Sequence, residues 1–296
     1  MDELSRKARM LSATIEPFAG QVYFSPECHS NYAALGFSPS GGDAAGVALP
    51  DGPAYFTSRG SVMGQVPGEV VACAFGVFNP AAVVPAVAFG WTLTDAKTIC
   101  AARDDGAIGQ LTRILSERPD GIDRVNEILA RAAEPLRVEG RPLFAGLASQ
   151  ALPGSPVGDA WRNADRLCEY RGDSHINAWT NAGVDATEIC LLSEAAWGLP
   201  LRSYSRTRAW SDAEFDAAMD RMRSRGWFDG DALTDAGREA REQIELETDG
   251  HMRAAIDAIG DDFDELIATV TPWGTAIRDA KGYLGGGASD LANASR

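Results

Sequence analysis

The C-terminal half of the chain contains consecutive helix-start signals that restrict the folds open to it. Asp185 with Glu188, and Ser211 with Glu214, have the spacing of a capping box, in which each residue's side chain accepts a hydrogen bond from the other's backbone. Apolar residues recur at helical spacing behind each box, and Gly226 ends the second stripe as a typical helix terminator. Two consecutive helices are therefore predicted here.

A short hairpin and a long helix follow these two helices. Trp227 and Phe228 precede the turn Asp229-Gly230-Asp231, and Leu233 follows it, which is a β-hairpin pattern. Thr234 then stands at the N-cap position of a long charged stretch. Together with the helix that precedes the first box, the predicted order is helix, helix, helix, hairpin and long helix. That order is the plan of a winged helix-turn-helix domain.

Helical patterns also cover most of the remaining sequence. Residues 38–53 are too rich in Gly and Pro for regular structure, and the apolar run 68–78 fits either a helix or a strand. The other predicted helices are residues 3–18, a short stretch ending at Gly36, and residues 79–91, 94–116, 121–136, 161–170 and 174–182.

A cluster of Pro, Gly and Ser at residues 148–159 divides the chain. With 296 residues the chain is long enough for two ordinary domains. We predict a mainly α fold of two packed helical parts. Residues 1–150 form a mainly helical N-terminal domain, and residues 151–296 form a winged-helix-like C-terminal domain with a short β-hairpin.

Three segments carry a resemblance to a known family. Residues 55–87, 161–179 and 206–249 resemble a widespread actinobacterial family of helix-turn-helix-like proteins. Within the last segment, residues 222–245 resemble the wing region of MarR-type regulators, where a run of Arg and Gly precedes a hairpin and LTxxGR opens a helix. The resemblance implies a winged-helix-like C-terminal half. It also implies a homodimer, because proteins of this type commonly dimerise through their terminal helices.

The distribution of charge argues against nucleic acid as the partner. The formal net charge is −15, whereas nucleic-acid affinity comes largely from basic side chains that neutralise phosphates. The predicted reader of the DNA major groove, residues 185–199, carries Asp185, Glu188 and Glu194 but no Lys or Arg. The hairpin tip is acidic as well. A ligand-responsive, DNA-binding MarR-like regulator is therefore the alternative function and not the first.

The sequence also predicts a cytoplasmic protein without a membrane partner. The N-terminal residues lack the apolar core of a signal peptide. The most apolar region, residues 70–91, is interrupted by Asn79, Pro80 and Pro85, which favours buried core over a membrane span. The five cysteines are scattered without a CxxC pair, as expected of reduced thiols.

Histidine is the usual acid–base residue near neutral pH, and the chain has three. His29 and His175 are the candidate catalytic residues, whereas His251 is expected on the solvated surface. Two interpretations fit residues 171–175. In one, Gly172 ends a helix, Asp173 or Ser174 caps the next, and Arg171 pairs with a carboxylate. In the other, Arg171 binds an anionic group and His175, oriented by Glu169 or Asp173, moves a proton.

Arg59 is the second candidate for binding an anionic group, because it lies beside an apolar stretch suited to a hydrophobic ligand. A structural ion pair is the alternative role for Arg59. Tyr32, Trp91 and Trp179 are predicted to line the same site. We therefore expect a small-molecule-binding protein whose ligand is an apolar or aromatic metabolite with an anionic group. No nucleotide, metalloprotease or nucleophile-elbow motif is present, so the sequence assigns no metal, cofactor or reaction.

Overall fold

The computed structural model describes residues 1–285, and helices dominate them. The mainly α class predicted from the sequence is confirmed. The first half contains α1 (Glu3–Gly20), α2 (Pro26–Ala34), α3 (Gly52–Gly60), α4 (Gly68–Phe75), α5 (Pro80–Leu93), α6 (Ala96–Leu115), α7 (Ile122–Ala133) and α8 (Pro142–Ala148). The second half contains α9 (Pro156–Asn181), α10 (Ala186–Ala196), α11 (Asp212–Ser224), α12 (Asp235–His251), α13 (Arg253–Ile259) and α14 (Phe263–Asp279).

Two small antiparallel hairpins accompany the helices. One pairs β1 (Gly42–Ala44) with β2 (Val47–Leu49), within the stretch for which the sequence predicts no regular structure. The other pairs β3 (Phe228–Asp229) with β4 (Ala232–Leu233), as predicted from the turn between them. Gly230 has a φ of +58°, the left-handed conformation that the tight turn of this hairpin requires.

Both predicted capping boxes are present. The Asp185 side chain accepts from the backbone N–H of Thr187 and Glu188, and a Glu188 carboxylate oxygen accepts from Asp185 N at 3.0 Å. Ser211 Oγ accepts from Glu214 N, and the Glu214 carboxylate accepts from Ser211 N at 2.8 Å. The order of two helices, hairpin and long helix predicted for this part of the chain is therefore confirmed.

The helix break predicted near Gly172 is wrong, because α9 runs without interruption from Pro156 to Asn181. The two residues expected to cap a new helix make other bonds. Ser174 Oγ donates to Tyr170 O, one turn back, at 2.7 Å. The Asp173 carboxylate instead accepts from Phe144 N at the start of α8, at 2.9 Å. The apolar run left open between helix and strand is the helix α4.

Three hydrophobic clusters form the core. The main cluster joins α1, α2, α6, α7, α13 and α14 to the first half of α9. The small cluster joins the end of α9 to α10, α11, α12 and the second hairpin. The third cluster joins α3, α4, α5 and α8.

The main cluster takes residues from both sides of the boundary predicted at residues 150 and 151, and Trp161 of α9 is among its largest fully buried members. The division into two domains stays a prediction, and residues 286–296 of the second one lie outside the described residues. Within residues 1–285, no helix combines the length and the apolar character needed to cross a bilayer.

Candidate functional site

A cavity of about 350 Å³ lies between the main and small clusters, beside the middle of α9. Its wall takes side chains from α1, α3, α9, α10 and α12 and from the segments 75–78 and 204–208. This volume is at the lower end of the range of roughly 300–1,000 Å³ found for small-molecule sites. Six Tyr and Trp side chains line it: Tyr23, Tyr55, Tyr204, Tyr283, Trp179 and Trp197.

One side of the cavity is a group of aromatic rings that pack edge to face. The ring centroids of Tyr55 lie 5.3 Å from Tyr23, 6.1 Å from Phe75 and 5.8 Å from Phe78. Aromatic rings prefer these offset and edge-on arrangements over stacking face to face. The group therefore forms a preformed apolar surface suited to a flat ring.

Arg59 enters this aromatic group and forms a two-point ion pair with Glu169 of α9. Arg59 Nε and Nη2 donate to the two carboxylate oxygens, each at 2.7 Å, and Tyr23 donates its hydroxyl to Glu169 at 2.9 Å. Burial disfavours the charges on both partners. The ion pair outweighs it, so the pKa of Arg59 lies well above and that of Glu169 below its usual value. The charge of Arg59 is therefore matched inside the protein.

Arg171 belongs to a second network, between α9 and α12. Its Nη2 donates to Glu245 at 2.9 Å and to Asp249 at 3.2 Å. Arg241 also pairs with Glu245, at 2.6 Å, and Arg9 of α1 pairs with Asp249, at 2.5 Å. Despite its burial, Glu245 has a pKa well below its usual value because Arg241 and Arg171 stabilise the carboxylate. The charge of Arg171 is matched as well.

His175 lies on the cavity wall, and its hydrogen bond indicates which ring nitrogen carries the proton. Thr248 donates its hydroxyl to Ile244 O at 2.8 Å, so the same oxygen must accept from His175 Nδ1, 3.0 Å away. That assignment leaves the lone pair on Nε2. Burial lowers the pKa of His175 to about 3; nearby Glu245 opposes the shift, whereas Arg241 and Arg171 add to it. The imidazole is therefore neutral near pH 7.

Arg208 also lines the cavity, from the short 3₁₀ turn Ser205–Arg208. Its guanidinium carbon lies 4.6 Å from the ring centroid of Phe78 and 4.6 Å from that of Tyr204, and its Nη2 donates to the Tyr204 hydroxyl. Cation–π contacts of this kind stabilise a guanidinium without neutralising its charge.

The cavity brings together four of the seven site residues predicted from the sequence: Arg59, Arg171, His175 and Trp179. The other three lie elsewhere. His29 is buried and its Nε2 bonds to Tyr23 O at 3.0 Å, while Tyr32 is buried in the main cluster. Trp91 donates to Val66 O at 2.7 Å and so connects α5 to the segment before α4. These contacts give all three a structural role.

His251 is not the solvated surface residue that the sequence predicts. It is partly buried, and its Nδ1 lies 3.1 Å from Arg141 Nη2. Because a guanidinium only donates, Nδ1 of His251 accepts.

Sequence reasoning missed the tyrosines of the wall and Arg208. Tyr23, Tyr55 and Tyr204 come from three separate segments that nothing in the local pattern connects. The basic stretch at residues 201–210 indicates that an arginine could bind an anion there, but it does not indicate which one, because its arginines have different surroundings. Arg202 pairs with Asp216 at 2.5 Å, whereas Arg208 faces the cavity.

Within residues 1–285, no group of three or more His, Cys, Asp or Glu side chains is arranged to hold a metal ion. The thiol beside His29 does not offer a nucleophile either. Burial raises the pKa of Cys28 to about 12, which keeps it protonated.

Comparison with known proteins gives one family. A family model described as a helix-turn-helix family matches residues 8–284. The chain belongs to this helix-turn-helix family. No curated protein and no solved structure matches the chain.

In this helix-turn-helix protein, the helix predicted to read DNA is buried. All residues of α10 from Thr187 to Glu194 are buried, which prevents α10 from entering a groove, so that assignment is wrong. The helix before the hairpin that does face solvent is α11. Its exposed face carries Asp212, Asp216 and Asp220, one turn apart, with side chains 62%, 68% and 78% exposed.

The tip of the second hairpin in this helix-turn-helix protein is also acidic, and the arginine beside it is already paired. Arg223 donates to Gly230 O at 2.9 Å and to Asp231 at 3.1 Å, so it is tied to the hairpin. Residues 212–231 carry six carboxylates and three arginines, and the three aspartates of α11 pair with Arg202 or Arg223. This surface therefore offers few unpaired cations to the phosphates that DNA-binding helices normally contact.

Proposed function

We propose that this helix-turn-helix protein binds a small molecule in the cavity between its main and small clusters. The ligand has an apolar or aromatic body and one anionic group. The observation that carries the proposal is the cavity itself, with six Tyr and Trp side chains on its wall and buried ion pairs at its edges. Apolar walls with a few placed polar groups are typical of ligand sites.

We propose binding rather than acid–base catalysis as the role of His175. An efficient acid–base residue has a pKa near the working pH, whereas burial lowers the pKa of His175 to about 3. A neutral imidazole with its lone pair on Nε2 suits acceptance of a hydrogen bond from a ligand.

The test is native mass spectrometry of the protein as purified, compared with its denatured mass, followed by thermal-shift screening of aromatic acids and their amides. Gly172→Phe should block the cavity, because Gly172 lines it and an added Cβ meets only Glu169, at 3.6 Å. Thr180→Phe is the matched control, since it adds the same ring to an exposed position of α9. Binding that survives Gly172→Phe would place the ligand outside the cavity.

The alternative is a ligand-responsive, DNA-binding regulator, and membership in the helix-turn-helix family supports it. In that case the C-terminal domain predicted at residues 151–296 acts as a MarR-type winged helix, and the protein is a homodimer. The burial of α10 and the acidic face of α11 favour the ligand-binding proposal. Fluorescence anisotropy with a labelled 30-base-pair duplex at low salt distinguishes them. We expect no binding, and micromolar affinity that weakens with salt would favour the regulator.

A further inference from the structure

An anionic ligand needs a cation that is not already neutralised, and the arginines of the cavity differ in this respect. Arg9, Arg59, Arg171 and Arg241 each form an ion pair with a buried or partly buried carboxylate. Each of these pairs connects two parts of the chain or two turns of α12. Their positive charges are therefore neutralised by carboxylates of the protein itself.

Arg208 is the exception on the cavity wall. Among the described residues, no carboxylate lies within ion-pair distance of its guanidinium, which contacts Phe78 and Tyr204 instead. Its positive charge also affects the thiol of Cys190 on the same wall. Burial raises the pKa of Cys190 to about 12, and the charge of Arg208 opposes that rise. An unmatched cation beside aromatic rings is the feature that an aromatic anion requires.

The backbone that carries Arg208 is fixed before any ligand arrives. The buried carboxylate of Glu194 accepts from the backbone N–H of Tyr204 at 2.5 Å and of Ser205 at 2.6 Å. The carbonyl of Arg208 accepts from Asn79 N, at the start of α5, at 2.9 Å. Because the turn is held from both sides, little backbone ordering remains to oppose binding.

We propose that Arg208 is the ligand-binding residue of the cavity that receives the carboxylate of a flat, monoanionic aromatic acid. This inference rests on the proposed function, since it names the ligand class of the same cavity. The planar guanidinium matches a carboxylate with two parallel N–H donors. Phe78 and Tyr204, whose rings contact the guanidinium, give the aromatic body of the acid an apolar surface beside that position.

The other charges on the wall limit the ligand to one negative charge. Glu16, Asp165, Glu169 and Glu245 all line the cavity, and Glu16 is a hydrogen-bond partner of Tyr283. Together with the five arginines of the wall they leave one unbalanced positive charge, so a second negative charge on the ligand would have no cation to meet. A dianionic phosphate ester should therefore bind more weakly than a carboxylate of the same shape.

Arg206 provides a matched control for Arg208. It lies in the same 3₁₀ turn, its side chain is 62% exposed, and it pairs with Asp212 at 3.3 Å outside the cavity. Replacing either arginine with Gln removes one positive charge from the same turn. Only the replacement at residue 208 removes it from the cavity.

The experiment is isothermal titration of the full chain with 2-naphthoate and with 2-naphthamide, its neutral counterpart. We expect the unaltered protein to bind naphthoate at least about tenfold more tightly than the amide. Arg208→Gln should weaken naphthoate binding about tenfold and change amide binding less than about twofold, whereas Arg206→Gln should change neither. Arg208→Lys keeps the charge without the planar fork and should fall between.

The outcomes separate this inference from the proposed function. One outcome is that Arg208→Gln binds naphthoate as tightly as the unaltered protein while Gly172→Phe abolishes binding of both probes. Arg208 is then not the anion-binding residue, but the cavity is still the ligand site. Arg208→Lys replaces Arg208→Gln in this comparison if the latter does not fold. If the unaltered protein binds neither probe, or if Gly172→Phe binds both normally, the proposed function fails as well. Tighter binding of 2-naphthyl phosphate than of naphthoate would overturn the choice of a monoanion.

Discussion

Arg59 of α3 and Glu169 of α9 are joined by two parallel N–H···O hydrogen bonds of 2.7 Å, although 110 residues separate them in the chain. The pair connects the third cluster to α9 at the edge of the cavity. Of the two roles that the sequence left open for Arg59, ligand binding and a structural ion pair, this geometry shows the ion pair.

Loss of one partner of this pair should be costly. Arg59→Met leaves Glu169 buried without its cation, and we expect the free energy of unfolding to fall by about 3–5 kcal/mol. Urea unfolding followed by circular dichroism measures this change. Arg118→Met, which breaks the exposed pair with Asp123, is the control and should leave stability nearly unchanged. Equal effects of the two variants would mean that the Arg59 pair is not buried in solution.

The depressed pKa of His175 predicts a pH dependence of stability. The unfolded chain takes up a proton at this residue near pH 6.5, whereas the folded protein does so only near pH 3. Between these values the unfolded state binds more protons, so the stabilisation is complete above pH 6.5 and is lost as the pH falls. His175→Asn should reduce the slope of unfolding free energy between pH 6 and 5 by about 1 kcal/mol per pH unit. Parallel curves for the two proteins would contradict the depressed pKa.

Gly172 should be replaceable by Ala with a gain in stability. It lies in the interior of α9, and glycine in a helix interior costs about 0.8–1 kcal/mol relative to alanine. Gly183, which follows α9 with a φ of +68°, is the contrasting position, where Ala should destabilise. Thermal unfolding of both variants checks the prediction. A loss of stability at both positions would indicate that residue 172 needs the backbone freedom of glycine, as it would if a helix ended there.

One thiol of five should react quickly with Ellman's reagent. Cys73 is exposed, whereas Cys28 and Cys190 are buried and Cys100 and Cys168 are partly buried. Burial raises the pKa of these other four thiols, to about 12 for Cys28 and Cys190. Cys73→Ser should remove the fast phase, and the denatured chain should show all five thiols. A second fast thiol that disappears in Cys168→Ser would show that the reagent enters the cavity.

Local signals predicted the fold better than they predicted the site. The capping box of Asp185 and the turn at Gly230 are each contained in a few residues, so their geometry follows from the sequence beside them. Gly172 was misassigned because a glycine inside a helix and one that ends it have the same neighbours in sequence. Only the packing of α9 against both clusters decides between them.

The site depends on pairings that no local pattern contains. For Arg59 and Arg171 the sequence left two roles open, binding of a ligand anion and a structural ion pair. The carboxylate that pairs with each arginine comes from another helix: Glu169 of α9 for Arg59, and Glu245 of α12 for Arg171. Which arginine remains unmatched, and so which one is free to meet a ligand, follows only from the assembled structure.

The continuity of α9 limits how the two sides of the cavity can move. Its 26 residues make a rod about 39 Å long. Trp161 near one end is embedded in the main cluster, and Trp179 near the other end is embedded in the small cluster. Because the rod has no joint at Gly172, the two ends cannot swing apart as a hinge would. The distance between the two walls is therefore set by α9, and adaptation to a ligand is left to side-chain rotation, since the backbone of Arg208 is itself held by Glu194 and Asn79.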